Sequence, residues 1–289
     1  MPLTLSIDCG GTGLKGSVLD PEGSMVAEPV RVATPYPLPP SRFIAELAAI
    51  AGQLPRADRV TVGMPGMIRH GTVVTTPHYI TKRGPHSPVD PELERAWQGF
   101  DVDEALEGEL SLPTLVMNDA EVAGAGAISG FGFEVMFTLG TGLGCAIFDN
   151  GVLMPHLELS RAPVRRGRIY DEYVGDKARK RHGRTVWSRR VRESLLGLQP
   201  MLQWDELYLG GGNSGKVRES DLKALGPAVA VVPNEVGIIG GVRAWQITQL
   251  PSAALVPEEF GPQRSEDELA SLLDQILLGG QTPAETDQP

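Results

Sequence analysis

The stretch Asp8-Cys9-Gly10-Gly11-Thr12-Gly13-Leu14-Lys15-Gly16 sets a carboxylate, a hydroxyl and an ammonium among glycines. Gly11, Gly13 and Gly16 have the spacing of a dinucleotide-binding loop, but that loop needs a helix opening within it and an acidic residue about 20 positions on. Here only Ser17 to Asp20 separate Gly16 from a Pro21-Glu22-Gly23 turn, after which the apolar run Met25 to Val32 begins. The pattern reads as strand (Leu3 to Ile7), glycine turn, strand (Leu14 to Leu19), turn, strand. A glycine turn between strands offers backbone N–H groups to an anion, because no Cβ blocks the approach. Gly10, Gly11, Thr12 and Lys15 are therefore expected to hold a phosphate, with Asp8 holding Mg²⁺ against it through water. The same residues also fit an ordinary glycine-rich hairpin.

A second carboxylate stands in Val116-Met117-Asn118-Asp119-Ala120-Glu121-Val122-Ala123-Gly124-Ala125-Gly126. Asn118 and Asp119 end an apolar strand just before small helix-forming residues. At such a strand end Asp119 can accept a hydroxyl proton while a phosphoryl group moves; it equally fits the N-cap of the next helix. Two further glycine turns follow. Gly140, Thr141 and Gly142 are expected at a phosphate, and Gly210, Gly211 and Gly212, after a buried strand, at the base or ribose of a nucleotide. Gly210 to Lys216 meets the first seven positions of a P-loop, but Val217 stands where Ser or Thr should hold Mg²⁺. Lys216 is expected at the surface near a helix start.

These groups need a scaffold that brings them to one cleft. The sequence predicts a helix over Ser41–Leu54 with Ser41 as N-cap, and a strand Arg59–Val62 entering the turn Gly63-Met64-Pro65-Gly66. A strand Val73–Thr76, an exposed proline-rich loop Pro77–Pro91, a helix Val102–Gly108 and a strand Leu112–Met117 come next. The strand, glycine turn, strand, turn, strand order then repeats over Glu134–Thr138, Cys145–Asp149 and Val152–Met154, with Asn150-Gly151 as a strong hairpin signal. Helices Ile169–His182 and Thr185–Leu202, a strand Glu206–Leu209, a helix Val236–Leu250, a final helix Ser265–Leu278 and a frayed tail Gly279–Pro289 complete the chain. The expected class is α/β, with an N-terminal α/β domain over 1–115 and a C-terminal α/β domain with a helical insertion over 116–289. These related halves would face a cleft, the final helix free to pack back on the first.

With 289 residues, 41% of them apolar, the chain can fill two ordinary cores. A formal charge of −10 argues against a protein that coats nucleic acid. Cys9 and Cys145 are too few for a disulfide framework or a four-ligand zinc site, so a reducing compartment is expected. The first residues lack a basic region ahead of a long apolar stretch, and no apolar run approaches the length of a membrane span. Neither a signal peptide nor a membrane partner is expected, and the predicted location is cytoplasmic.

Five stretches together carry a resemblance: residues 8–16, "VGMPGMIRHGTVVTTP" (62–77), "MNDAEVAG" (117–124), "TLGTGLGCAIFDNGVLMPHLEL" (138–159) and "LYLGGGNSGKV" (207–217). In this order they resemble the sugar kinases of the ROK family, in the actin-like ATPase (ribonuclease H-like) superfamily, and especially its polyphosphate glucokinases. The resemblance implies ATP or inorganic polyphosphate as donor, held by the glycine turns with Mg²⁺, and a sugar hydroxyl activated by Asp119. It places sugar contacts at Pro65, Gly66, Asn118, Asp119 and Glu158. No zinc is expected, since the cysteine cluster of many ROK proteins is absent, and a homodimer is the expected assembly.

The departures bear on the acceptor. Where the glucokinases have Glu-x-Gly-His, with Glu and His on sugar hydroxyls, this chain has Glu158-Leu159-Ser160-Arg161. His78-Tyr79 replaces the usual Asn-Leu. A kinase for a non-glucose acceptor, or a sugar sensor without turnover, are the alternatives; the presence of Asp8, Lys15 and Asp119 together favours turnover. Arg161 to Arg192 holds ten Arg and two Lys of the chain's 26 basic residues. That segment fits a strip for a polyanion such as polyphosphate, or a solvated face balanced by Asp171, Glu172, Asp176 and Glu193.

Overall fold

In the computed structural model, which describes residues 2–248, the N-terminal apolar runs become β1 (Thr4–Cys9), β2 (Gly13–Leu19) and β3 (Val30–Ala33). Helix α1 (Pro40–Ala51), β4 (Arg59–Met64), a small hairpin of β5 (Met67–Arg69) and β6 (Thr72–Thr75), helices α2 (Pro91–Trp97) and α3 (Val102–Leu110), and β7 (Thr114–Asn118) follow. The first sheet has the order β3-β2-β1-β4-β7, its meander antiparallel and its last two strands parallel to β1. Strands β1 and β4 are covered on both faces, so Thr4, Ser6 and Thr61 are buried as fully as the apolar residues between them. On α1, Phe43, Ile44, Leu47 and Ile50 recur at helical spacing and bury one stripe in this core.

Helix α4 (Asp119–Ala127) leads to β8 (Phe133–Leu139), β9 (Leu143–Asp149) and β10 (Val152–Leu153). After a hairpin of β11 (Pro163–Arg165) and β12 (Arg168–Ile169) come α5 (Tyr170–Val174), α6 (Asp176–Leu202), β13 (Glu206–Gly210), α7 (Glu219–Lys223), β14 (Val229–Val231) and α8 (Val236–Thr248). The second sheet, β10-β9-β8-β13-β14, repeats the first: an antiparallel meander with two parallel strands added beyond its first member.

Helices α4 and α8 pack on one another and reach both sheets. Their small residues permit this, because a Cβ on Gly240 would run into the Val122 carbonyl. Across the first sheet, Ser6 Oγ donates to the Ile238 carbonyl and Thr61 Oγ1 to that of Gly241, each at 2.7 Å, so the buried hydroxyls of β1 and β4 are satisfied by α8.

Several expectations change. Helix α1 starts at Pro40 with Pro39 in the capping position and no side-chain cap, so Ser41 is not the N-cap. The loop 77–91 is not simply exposed: Tyr79 is fully buried, its ring centroid 5.3 Å from Phe43 and 5.5 Å from Trp97. The helix expected over 169–182 is divided at Gly175, where a Cβ would strike the Thr141 and Asp171 carbonyls. The break expected between His182 and Thr185 is present at Gly183, whose φ of 75° is left-handed. The expected boundary between residues 115 and 116 falls inside β7. Sequence periodicity missed the short elements α2, α7, β5, β11, β12 and β14. The end of the helix expected over 236–250, the final helix 265–278 and the tail 279–289 lie outside the described residues. Among the described residues no helix is long and apolar enough to cross a membrane.

Candidate active site

A cavity of about 590 Å³ collects the first two glycine turns, the start of α4 and Glu158. The β1–β2 turn is held from behind. The Gly10 carbonyl accepts from Thr34 Oγ1 at 2.8 Å, that of Gly11 from Tyr36 Oη at 2.8 Å, and that of Thr12 from the Thr34 amide at 3.3 Å. In a trans peptide the next N–H points opposite to the carbonyl. Tying three carbonyls to one side therefore turns the N–H groups of Gly11, Thr12 and Gly13 to the other, as a cradle for an anion.

Strand register lines up the charges beside it. Asp8 on β1 is the partner of Lys15 on β2, which is in turn the partner of Arg31 on β3, and all three border the cavity. Lys15 is only 8% exposed; burial and the neighbouring Arg31 lower its pKa, against the pull of Asp8. Burial raises the pKa of Asp8, with Lys15 opposing.

Asp119 is the first residue of α4, and Asn118 is its N-cap. The Asn118 side chain accepts from the Ala120 amide at 2.8 Å while Glu121 Oε2 accepts from the Asn118 amide at 3.0 Å, a complete capping box. The cap is thus supplied without Asp119. Asn118 Nδ2 donates to the Gly66 carbonyl at 2.8 Å, which fixes the Pro65-Gly66 turn against the helix start. Burial, and then the charge of Asp8, push the Asp119 carboxyl up to about 7.

Glu158 accepts from Ser160 Oγ at 2.5 Å and has His156 at its other oxygen, with Nε2 3.7 Å from Oε2, an ionic separation. His156 Nδ1 lies 3.1 Å from Glu121 Oε1. Burial alone would lower the imidazole pKa, but the two glutamates hold it up at about 9. Burial would likewise raise Glu158, yet His156 and Ser160 keep it below its ordinary value. The sequence reading registers a lost histidine after Glu158 and overlooks one two residues before it. Because the histidine's pKa is raised on folding, its stabilisation is complete below about 6.5 and is lost as pH rises through about 9. His156→Gln is therefore expected to lower Tm by a few degrees near pH 6, the scale of about 1 kcal/mol in a chain this size, with the gap closing by pH 10. A gap that does not change with pH would mean the ring only fills space.

At the second turn, the Gly140 carbonyl accepts from the Asp176 amide at 3.0 Å and from Asn213 Nδ2 at 3.2 Å. Asp171 Oδ1 accepts from the Leu143 amide at 2.9 Å, and burial raises its carboxyl to about 6. Gly140, Thr141 and Gly142 border the cavity as expected. Of the third turn only Gly212 does. Gly210 packs its bare Cα against Met136, and Gly211, with φ of 80°, turns against the backbone of Leu139; both serve packing and not the cavity. Lys216 is exposed and bonds Asn213 Oδ1 at 2.6 Å. Cavity residues that sequence reasoning missed include Arg31, His78, Asp171, Asp176 and Asn213, while Lys180 comes from the basic segment offered for a polyanion.

Two repeated β-meander sheets with paired helices and opposed glycine turns are the actin-like ATPase fold. Within that class the ROK family model matches residues 4–155, and the chain belongs to the ROK family. It is 26% identical over 253 residues to a polyphosphate glucokinase of Mycobacterium tuberculosis (strain CDC 1551 / Oshkosh), a match covering 82% of this chain and 89% of that protein. Its structure is similar to an inorganic polyphosphate/ATP-glucomannokinase from Arthrobacter sp. strain KM, with TM-score 0.69 and 29% identity over 86% of this chain and 98% of that one. A ROK family glucokinase from Streptomyces griseus, solved with glucose and AMPPNP, gives TM-score 0.66 at 20% identity, covering 83% of this chain and 98% of that one.

Proposed function

We propose that this chain is a sugar kinase that moves a phosphoryl group from polyphosphate or ATP to a hexose hydroxyl. The observation that carries the reading is that the N–H cradle of the first turn and the partly buried carboxyl of Asp119 border the same cavity. In this reading Gly10, Gly11, Thr12, Lys15, Gly140, Thr141 and Gly142 hold the donor phosphates, and Gly212 lies by the base or ribose when the donor is ATP. Pro65, Gly66, Asn118 and Glu158 position the sugar. Asp119, with a pKa near 7, accepts the hydroxyl proton at the pH where a base is most effective. Relatives named for polyphosphate, ATP and glucose support the donor and acceptor classes. Phosphorylated product measured directly from glucose, with ATP and with polyphosphate, tests it; no product from either donor would refute it.

The residues present fit Mg²⁺. Asp8 and Asp119 are partly buried carboxylates whose charges oppose one another, a repulsion that a cation relieves. Asp8 would hold the ion, which when bound neutralises charge on the transferring phosphoryl group. Cys9 and Cys145 lie in different sheets, which supports the expectation that zinc has no part. The reading also includes a cytoplasmic location, two α/β halves divided after β7 that close on substrate, and a homodimer, for which exposed Leu196 and Met201 on α6 offer apolar surface.

The basic segment bears on donor choice. Lys180 borders the cavity but pairs with Asp176 at 2.7 Å, as does Arg179. Further along, slight burial and then the charges of Arg190, Arg181 and Arg168 lower the His182 pKa, the mark of a positive field. Neutralising Arg179, Lys180 and Arg181 together is expected to reduce kcat/KM for polyphosphate more than for ATP, because only the longer anion extends past the turns. The contrast should shrink at high salt. Equal effects on both donors would make the segment a solvated face.

A further inference from the structure

A second cavity, of about 270 Å³, adjoins the first. Pro77 and Glu158 stand in the walls of both, so it opens from the end where the acceptor contacts gather. The phosphoryl transfer described above makes no use of it.

Its wall is chemically mixed. Ile80 and the exposed Val74 contribute apolar surface, and Thr76, Gln98, Glu94 and Arg161 contribute donors and acceptors. Thr76 is 2% exposed, and its hydroxyl has no hydrogen-bond partner among the described residues. A buried hydroxyl left unpaired is costly, so a ligand that bonds it gains affinity. Each ligand type meets a different fit. An anion would face Glu94 and Glu158 as well as Arg161, two negative charges against one positive. A wholly apolar group would leave Thr76 and Gln98 unpaired. A neutral ring with C–H faces and hydroxyl edges meets both demands, lying against Val74 and Ile80 while its hydroxyls reach Thr76, Gln98 and Arg161.

We propose that this cavity is a subsite for a second sugar ring, so that the acceptor is a hexose unit carrying a further neutral sugar residue, a disaccharide or glycoside. The inference rests on the sugar-kinase reading above. It also gives Arg161 a place: the side chain borders this second cavity and not the phosphate cavity.

The experiment compares glucose, maltose and cellobiose as acceptors, with calorimetric binding of each as a readout independent of turnover. Val74 stands at the rim, 36% exposed, and Val74→Trp fills the mouth without entering the core. The expected result is that one disaccharide exceeds glucose in kcat/KM by roughly 10-fold, the scale of a few pocket contacts. Val74→Trp should remove that advantage while leaving glucose unchanged. Thr76→Val, which keeps the side-chain shape, should weaken disaccharide binding alone and serves if the tryptophan variant does not fold. Glucose turnover with no disaccharide binding overturns the subsite and leaves the kinase reading standing, as does disaccharide binding that neither variant alters. Tighter binding of lactobionate, an anionic relative of a disaccharide, also overturns it. Disaccharide binding that Val74→Trp abolishes, with no phosphoryl transfer to any sugar, upholds the subsite and refutes the kinase reading.

Discussion

Asp119→Asn lowers turnover by about 10² to 10⁴, the range of general base catalysis, while the fold and donor binding persist. The expectation is firm because the structure separates two roles that one aspartate at a helix start can combine. Asn118 caps α4, and the Ala120 amide that Asp119 also contacts, at 2.9 Å, remains bonded to Asn118. Stability supplies the second readout. Burial raises the Asp119 pKa to about 7, so the folded chain binds a proton there more tightly than the unfolded chain does. The stabilisation from the neutral carboxyl is full below about pH 4 and is lost as pH rises through 7. At pH 8 the ionised carboxylate burdens the fold, and Asn removes that burden. Tm of the variant at pH 8 should therefore equal or exceed the wild type. In the wild type kcat/KM should climb with pH and level off above about 7. Parallel losses of Tm and activity would return Asp119 to a structural role.

Asp8→Asn is expected to cost roughly 10² to 10³ in turnover, the scale of several kcal/mol of charge stabilisation by a metal ion. The side chain keeps its size and loses the charge that would hold Mg²⁺. The apo protein should suffer little, since Asp8 is a partly buried carboxylate whose charged form loss of solvent disfavours. The difference should surface in ligand protection. A non-hydrolysable donor analogue with Mg²⁺ raises Tm by binding the folded state, and the variant should show a smaller rise than the wild type at the same concentrations. Equal protection of both proteins would sink the assignment of Asp8 to the ion.

The parts of the site legible in the sequence are those whose chemistry is local. A glycine turn between two apolar runs makes its own cradle, and an aspartate at a strand end is exposed by the strand's ending there. The parts that stayed hidden arrive by register or by tertiary return. Arg31 joins Lys15 and Asp8 only because β3 pairs with β2 in one particular alignment. Thr34 and Tyr36 secure the first turn from a segment that reads as a plain connection. His156 matters through Glu121, on a helix far back in the chain, so a search confined to the residues after Glu158 passes it by. Gly210 and Gly211 misled for the opposite reason: glycine marks close approach of any kind, and here the neighbours are Met136 and Leu139. The strand repeat was readable because alternation and turn residues survive in both halves. The buried Tyr79 was not, because a proline-rich run conceals an aromatic that packs on Phe43 and Trp97.

The tethering of the first turn by Thr34 and Tyr36 has a consequence for how substrate choice can diverge. A cradle made of peptide N–H groups reads negative charge and bond length, and it cannot distinguish the terminal phosphate of a nucleotide from one unit of an inorganic chain. Discrimination between donors must then reside in cavity groups outside the turn, such as Lys180 and Asn234. None of these belongs to the turn or to the Asp119 helix start. A lineage can exchange them one at a time and drift from one phosphate currency to another, with the machinery of transfer left untouched throughout.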